Sequence, residues 1–182
     1  KYLKKSLKSI INQTYKNWEL IFWNNNSSDK SEKILKSIRD KRIRYFKSNQ
    51  NLKLYKARNL AIDKASGKYI CFLDTDDLWE KSFLKVHLKV LLKKNCNLVY
   101  SKYKIKNENK SITKINTKKK LLSGRITQEL LNNYLVGISA VLIKKEIFKK
   151  IKFDPNYQII GDFDFFIRLS TKYNFFSIQK AD

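Results

Sequence analysis

The sequence predicts an α/β fold with a mostly parallel central sheet flanked by helices. Three observations carry that prediction. Strand-like and helix-like segments alternate along the whole chain. Residues 69–73 form an apolar run of the kind found in strands buried on both faces. The chain has 182 residues, enough for a single domain with a sizeable core over 1–182. Hydrophobic residues make up 42% and aromatics 13%, which excludes a disordered chain.

Taken in order, Leu3, Leu7, Ile10 and Ile11 recur at i, i+4, i+7 and i+8, so residues 2–14 read as a helix. Residues 19–23 read as a short strand and 24–28 as a polar turn. Asp29 followed by Glu32 has the spacing of a capping box, opening a helix through about residue 39. Residues 43–46 read as a strand. Residues 54–65 read as a helix that stops at Gly67, taken as its C′ glycine. After strand 69–73 come a helix at 81–94 and a strand at 98–103. The lysine-rich stretch 104–125 reads as a loop or weak hairpin. Residues 127–134 read as helix, 138–143 as strand and 144–150 as a short helix. A helix at 162–172 and a strand at 175–178 complete the chain. An α/β unit of this kind normally opens on a strand. This chain opens on a helix and without Met, so the expectation is a fragment whose first strand is missing.

The net charge is +24, which first points to nucleic acid or an anionic membrane. The composition weakens the nucleic-acid reading. Of the 40 basic residues 34 are Lys, whereas Arg is preferred for bidentate recognition of phosphates and bases. The lysines are spread along the chain, with one tight run at 118–120. Lys, Ile and Asn together number 71, the drift expected of an AT-rich genome. A basic surface is nevertheless drawn to anionic lipid, so peripheral contact with a membrane is expected.

Several chemistries are excluded. Cys71 and Cys96 form no CxxC pair, which removes a disulfide scaffold and a cysteine zinc site and favours a reducing compartment. GxGxxG, GxxxxGK[ST] and GxSxG do not occur. His87, the single histidine, is expected on a helix surface. No run approaches the roughly 18 apolar residues of a membrane span. Trp18 and Trp23 read as core, while Trp79 is divided between core and sugar stacking.

The acids cluster against this basic background. The chain has ten Asp, and five lie at Asp74, Asp76, Asp77, Asp162 and Asp164. Asp74-Thr75-Asp76-Asp77 follows the apolar strand directly, and open α/β sheets bind ligands beyond strand carboxyl ends. Paired carboxylates there can hold one hard divalent ion together with a diphosphate. The competing reading is a helix N-cap, with Asp77 capping the next helix.

At this point the sequence resembles the family-2 glycosyltransferases of the GT-A fold, across nearly its whole length. Ser9-Ile10-Ile11-Asn12-Gln13-Thr14-Tyr15 with Trp18-Glu19-Leu20-Ile21 is similar to that family's first helix and second strand. Asn24-Asn25-Asn26-Ser27-Ser28-Asp29 occupies its Asp-Asp-Gly-Ser-Thr-Asp turn. Ala57-Arg58-Asn59, Gly67-Lys68-Tyr69-Ile70 and Phe72-Leu73-Asp74-Thr75-Asp76-Asp77 resemble the stretch ending in its metal motif. Residues 161–169, Gly-Asp-Phe-Asp-Phe-Phe-Ile-Arg-Leu, resemble its later acidic motif.

The resemblance implies an inverting, metal-dependent hexosyltransferase. It would move a sugar from a nucleotide-sugar, with UDP the expected nucleotide, to a hydroxyl of a glycan or lipid-linked acceptor in bacterial surface polysaccharide synthesis. It implies Mn²⁺ or Mg²⁺ at Asp76 and Asp77, with Asp76 also touching the donor and Asp74 the first acid of the motif. Arg58 would lie near the nucleotide, Asn24 and Asn25 near the base, and Asp162 would be the general base. The strand at 138–143, after Gly137, would line the acceptor side. Arg168 is expected to pair with the Asp162 and Asp164 carboxylates. The expected location is the cytoplasm, at the inner face of the membrane, with no nucleic-acid partner. Two features depart from the family pattern: the first strand is absent, and the turn carries Asn24 and Asn25 where the family has acids. An amide oxygen accepts the bond a carboxylate would, but without charge. Two rival readings follow: a Lys-rich nucleic-acid or membrane binder, from the charge, and an inactive transferase-like domain, from Asn24 and Asn25.

Overall fold

The computed structural model describes residues 2–107 and 112–181. Helix α1 (Leu3–Ile11) is followed by β1 (Leu20–Asn24), α2 (Ser31–Lys36), β2 (Ile43–Lys47), α3 (Leu54–Lys64) and β3 (Tyr69–Ile70). Then come α4 (Phe83–Lys94), β4 (Leu98–Lys102), β5 (Lys104–Asn107), β6 (Ile112–Ile115) and α5 (Thr127–Asn132). Strand β7 (Val141–Lys144), α6 (Gly161–Ser170) and β8 (Phe175–Ala181) complete the described chain. Part of the expected loop or hairpin, residues 108–111, lies outside the described residues; its flanks pair as the antiparallel β5–β6 hairpin.

The α/β class holds, and the pairing within it is mixed rather than mostly parallel. Strands β1 and β2 pair in parallel. The larger sheet has the order β3-β7-β4-β8. Strand β7 runs antiparallel to both β3 and β4, and only β4 and β8 pair in parallel. The cause is the excursion between β4 and β7. Tyr100 near the end of β4 lies opposite Val141 at the start of β7, so that excursion leaves and returns at one sheet edge. A parallel neighbour needs a crossover to the opposite edge. The expected strand at 138–143 therefore begins later, after a 3₁₀ turn at Ile138–Ala140.

Alternation along β4 divides the core. Leu98 and Tyr100 pack on one side of the sheet with Ile62 of α3, Phe165, Phe166 and Leu169 of α6, and Phe148 and Phe153. Val99 points to the other side, against Leu91 of α4, Cys96 and Leu142. Phe165 is fully buried, 4.2 Å from Phe153 and stacked on Phe148 at 5.4 Å. Truncating such a ring costs about 3–5 kcal/mol. A third cluster seats Leu3 and Leu7 of α1 and Leu35 of α2 on Leu20, Phe22, Ile43 and Tyr45 of β1 and β2.

Three local expectations change. Asp29 Oδ1 accepts the Ser31 N–H at 2.9 Å, but Glu32 pairs forward with Lys36 at 2.6 Å, so the reciprocal capping box does not form. Helix α3 ends with Ala65 in extended geometry, and Gly67 is not a left-handed C′ residue. Its N–H instead donates to Glu19 Oε1 at 2.8 Å, tying the entry of β3 to the entry of β1. His87 is buried rather than exposed, its Nδ1 2.9 Å from the Phe83 carbonyl and its ring 4.0 Å from the Phe83 ring. Among the described residues no helix is long and apolar enough to cross a membrane.

Candidate active site

The site begins where β3 ends. The chain runs past Leu73 into a tight turn in which the Asp77 N–H donates to the Asp74 carbonyl at 3.0 Å. That turn presents three carboxylates within four positions. Arg58, on the buried side of α3, reaches the first of them: its Nη2 donates to Asp74 Oδ1 at 2.6 Å. Its Nη1 is also buried and has no hydrogen-bond partner among the described residues. A buried guanidinium nitrogen without an acceptor is costly, and an anionic ligand oxygen would satisfy it.

Ser139, in the 3₁₀ turn before β7, organises the same cluster. Its Oγ accepts the Asp74 N–H at 3.3 Å and lies beside the Asp77 carboxyl. Its carbonyl accepts Trp79 Nε1–H at 2.7 Å. Trp79 also stacks on Phe83 at 4.5 Å, so its indole is held by one edge and one face. Burial pushes the Asp77 carboxyl above its ordinary range; the Ser139 hydroxyl opposes this, and the Asp74 and Asp76 charges add to it. Crowded carboxylates of this kind favour a cation between them. Among the described residues no three His, Cys, Asp or Glu side chains are grouped to hold a metal alone. Asp76 and Asp77 could therefore supply only part of a divalent ion's coordination shell, and the remaining oxygens would have to come from elsewhere.

The second acidic motif sits at the first turn of α6. Asp162 Oδ1 accepts the Tyr55 hydroxyl at 3.0 Å and the Phe163 N–H at 3.0 Å, and Oδ2 accepts the Tyr134 hydroxyl at 3.1 Å. Asp164 turns elsewhere and takes Arg168 Nη2 at 2.6 Å, the expected i,i+4 pair. Arg168 does not hydrogen-bond Asp162. The two motifs meet through Arg58, Tyr55 and Tyr103. The Arg58 guanidinium lies 5.2 Å from the Tyr55 ring centroid. The Tyr103 phenol is pushed up by burial first and then by the charges of both Asp77 and Asp162. Asp74, Asp76, Asp77 and Asp162, separated by up to 88 positions in sequence, thus share one neighbourhood.

Asn24 and Asn25 hold the turn after β1 together. Buried Asn24 donates to the Tyr45 hydroxyl at 3.0 Å and accepts the Ser27 N–H at 2.8 Å. Asn25 donates to Asn51 Oδ1 and the Leu52 carbonyl and accepts the Leu52 N–H. The far end of this turn reaches the acidic cluster: Asp29, Lys30 and Ser31 line a cavity of about 420 Å³ with Thr75, Asp76 and Leu3. Trp18 and Trp23 are half-buried, and the Arg42 guanidinium covers the Trp18 ring at 3.6 Å.

Ser139, Tyr55, Tyr103 and Tyr134 were not singled out from sequence. One signal was available. The chain has four glycines, and two sit beside these residues. A Cβ on Gly161 would meet the Tyr55 ring at 2.5 Å, and one on Gly137 would meet the Tyr103 ring at 2.9 Å. Close ring-to-backbone approach is the reason for glycine at both positions.

Comparison with known proteins bears on the family and the fold. The sequence is 31% identical over 148 residues to WfgD of Escherichia coli, a UDP-Glc:α-D-GlcNAc-diphosphoundecaprenol β-1,3-glucosyltransferase, covering 81% of this chain and 57% of WfgD. It is 33% identical over 185 residues to the uncharacterized glycosyltransferase MJ1057 of Methanocaldococcus jannaschii, covering 99% of this chain and 64% of that protein. The chain thus spans roughly three-fifths of the length of these curated relatives. In fold it is similar to residues 1–349 of S. aureus TarS, with a TM-score of 0.80 at 19% identity over 100% of this chain and 55% of that one. It is also similar to the mannosyltransferase PcManGT from Pyrobaculum calidifontis in complex with GDP-Man and Mn²⁺, with a TM-score of 0.70 at 14% identity, covering 98% and 51%. The α/β architecture is the GT-A fold of these transferases. The Glycosyl transferase family 2 model matches residues 1–152, most of the chain, and the chain belongs to that family.

Proposed function

We propose that the protein transfers a sugar, with inversion, from a UDP-sugar to a hydroxyl of a glycan or lipid-linked acceptor in surface polysaccharide synthesis. The observation that carries this is the convergence of the Asp74–Asp77 turn with Asp162 around Arg58, Tyr55 and Tyr103. A scattered arrangement would have favoured a charge-driven binder. WfgD is named for a UDP-glucose donor and a diphosphoundecaprenol-linked acceptor. TuaG of Bacillus subtilis, 30% identical over 106 residues, is named as a putative teichuronic acid biosynthesis glycosyltransferase. TarS has been solved with UDP and with UDP-GlcNAc.

The reading assigns roles as follows. Arg58 Nη1 takes a donor phosphate oxygen, and Asp74 keeps the guanidinium aimed at it. Asp76 and Asp77 hold Mn²⁺ or Mg²⁺ jointly with the diphosphate, and that ion when bound neutralises charge on the departing nucleoside diphosphate. The turn braced by Asn24 and Asn25 shapes the wall against the nucleotide. Asp162 removes the proton of the acceptor hydroxyl as its oxygen attacks the anomeric carbon. Surface lysines hold the protein peripherally at the anionic inner face of the membrane.

Calorimetry on the full-length protein tests the reading. Mn²⁺ alone should bind weakly, and Mn²⁺ with UDP at least tenfold more tightly, because the diphosphate completes the shell. Equal Mn²⁺ affinity with and without UDP would overturn the metal assignment. Absence of any nucleoside diphosphate binding would overturn the function.

A further inference from the structure

The two tyrosines on Asp162 are not called for by the roles above, and the geometry points to one. We infer that Tyr55 and Tyr134 are positioning residues that fix the Asp162 carboxylate and leave it a single proton-accepting site, one lone pair of Oδ2. This rests on the reading of Asp162 as the base.

Each carboxylate oxygen offers about two acceptor positions. At Oδ1 both are taken, by the Tyr55 hydroxyl and the Phe163 N–H, each at 3.0 Å. At Oδ2 one is taken, by the Tyr134 hydroxyl at 3.1 Å, and among the described residues no second donor reaches it. The incoming hydroxyl proton thus has one destination. The step balances: the acceptor O–H bond breaks and its proton passes to Oδ2. The freed electron pair forms the bond to the anomeric carbon, and the bond from that carbon to the diphosphate breaks with its pair leaving on the diphosphate. The tyrosine hydroxyls lose nothing in the exchange.

The two tyrosines are built differently. Tyr55 is buried at 3% exposure, 5.4 Å from the Phe153 ring, with Gly161 against its other side. It fixes the plane of the carboxylate from inside. Tyr134 is 37% exposed and meets Phe163 edge-on at 5.1 Å, beside the open lone pair. Burial first, then the Asp162 charge, raises the Tyr134 phenol above its ordinary range, and burial raises that of Tyr55. Both therefore stay protonated as donors at neutral pH. Tyr103 lies beside Tyr134, Arg58 beside Tyr55, and Asp77 beside Tyr103.

The test uses the full-length protein and nucleoside diphosphate release from UDP-glucose, UDP-GlcNAc and GDP-mannose. Tyr55→Phe keeps the ring and removes the donor; kcat should fall about ten- to a hundredfold, the range for a lost bond to a charged group, while donor KM and UDP affinity stay within twofold. Tyr134→Phe should lower kcat by a smaller factor, again without a change in donor KM. Gly161→Ala keeps both hydroxyls but displaces the Tyr55 ring, and should lose little further kcat when combined with Tyr55→Phe. A purely structural role would lower the melting temperature and spare kcat of the folded fraction. If Asp162→Asn abolishes turnover while both Phe variants turn over at the wild-type rate, the inference is overturned and the base assignment stands. If no donor is turned over, the transferase reading fails; if Asp162→Asn turns over normally, the base assignment fails; either result takes the inference with it.

Discussion

The carboxylates after β3 and the carboxylate at the start of α6 have opposite surroundings. After β3, Asp74, Asp76 and Asp77 are crowded together, and among the described residues one buried guanidinium and one serine answer them. At α6, Asp162 stands opposite two tyrosine hydroxyls and a backbone N–H, and among the described residues no cation is hydrogen-bonded to it. The first arrangement has uncompensated negative charge and suits a cation. The second has a carboxylate held in orientation by neutral donors and suits proton transfer. Asp164, two residues on, shows a third case, a carboxylate already neutralised by Arg168. What a carboxylate can do here is decided by its partners rather than by its position in a motif.

The largest effect should come from breaking the α6 half. Asp162→Asn in the full-length enzyme should lower turnover by roughly 10²–10⁴, the size of a lost acid–base group. Donor affinity should stay near wild type, because Asp162 is placed on the acceptor proton and not on the diphosphate. Asp164→Asn should retain turnover and lower stability by about 0.5 kcal/mol, as for a partly exposed pair. The reverse pattern would show that the roles of the two acids are exchanged.

Breaking the β3 half should act on binding instead. The Asp76→Asn, Asp77→Asn double variant should lose at least tenfold in Mn²⁺ affinity measured with UDP present. Its effect on UDP affinity without metal should be small, because Arg58 remains. Unchanged Mn²⁺ affinity would separate the acidic turn from metal binding altogether.

Gly161→Ala sharpens the contrast at intermediate cost. Its new Cβ would lie 2.5 Å from the Tyr55 ring, a distance that forces the ring or the helix to move. Overpacking of this kind costs about 1–3 kcal/mol. The melting temperature should fall, whereas Gly124→Ala, with open space around it, should suffer only from its left-handed φ of 105°.

These particular residues also show what a sequence makes legible. The acidic turn stands out because acids are few and clustered in a lysine-rich chain, and the order of elements stands out because apolar runs alternate with helical periodicity. Strand direction was not legible: β7 is set antiparallel by where its connection starts and ends, which periodicity does not encode. Tyr55 and Tyr134 were hidden because an aromatic ring fits a core reading equally well, and the hydroxyl's partner lies 107 positions away in one case and 28 in the other. His87 was misplaced for a related reason. Phe83 and His87 lie one turn apart on α4 with their rings 4.0 Å apart, and Trp79, ahead of the helix, stacks on Phe83, so the imidazole is buried.

The smallest effect concerns Asp40, a carboxylate of the Asp164 kind that is far from both motifs in sequence. Its oxygens take Arg42 Nη2 at 2.6 Å, Arg42 Nε at 3.0 Å and the Arg42 N–H at 3.0 Å. The Arg42 side-chain bonds first, and then the backbone bond, pull its carboxyl down to about 2. An unfolded Asp titrates near 3.9. Because the folded value is the lower one, the pair stabilises the fold fully above about pH 4. That contribution is lost as pH falls through about 2. Between those limits the unfolded chain takes up the proton and the folded chain does not. Asp40→Asn should therefore lower the melting temperature slightly at pH 7 and flatten its decline between pH 4 and pH 2. If Asp40→Asn declined as steeply as the wild type between pH 4 and pH 2, the Arg42 pair would contribute nothing to acid stability.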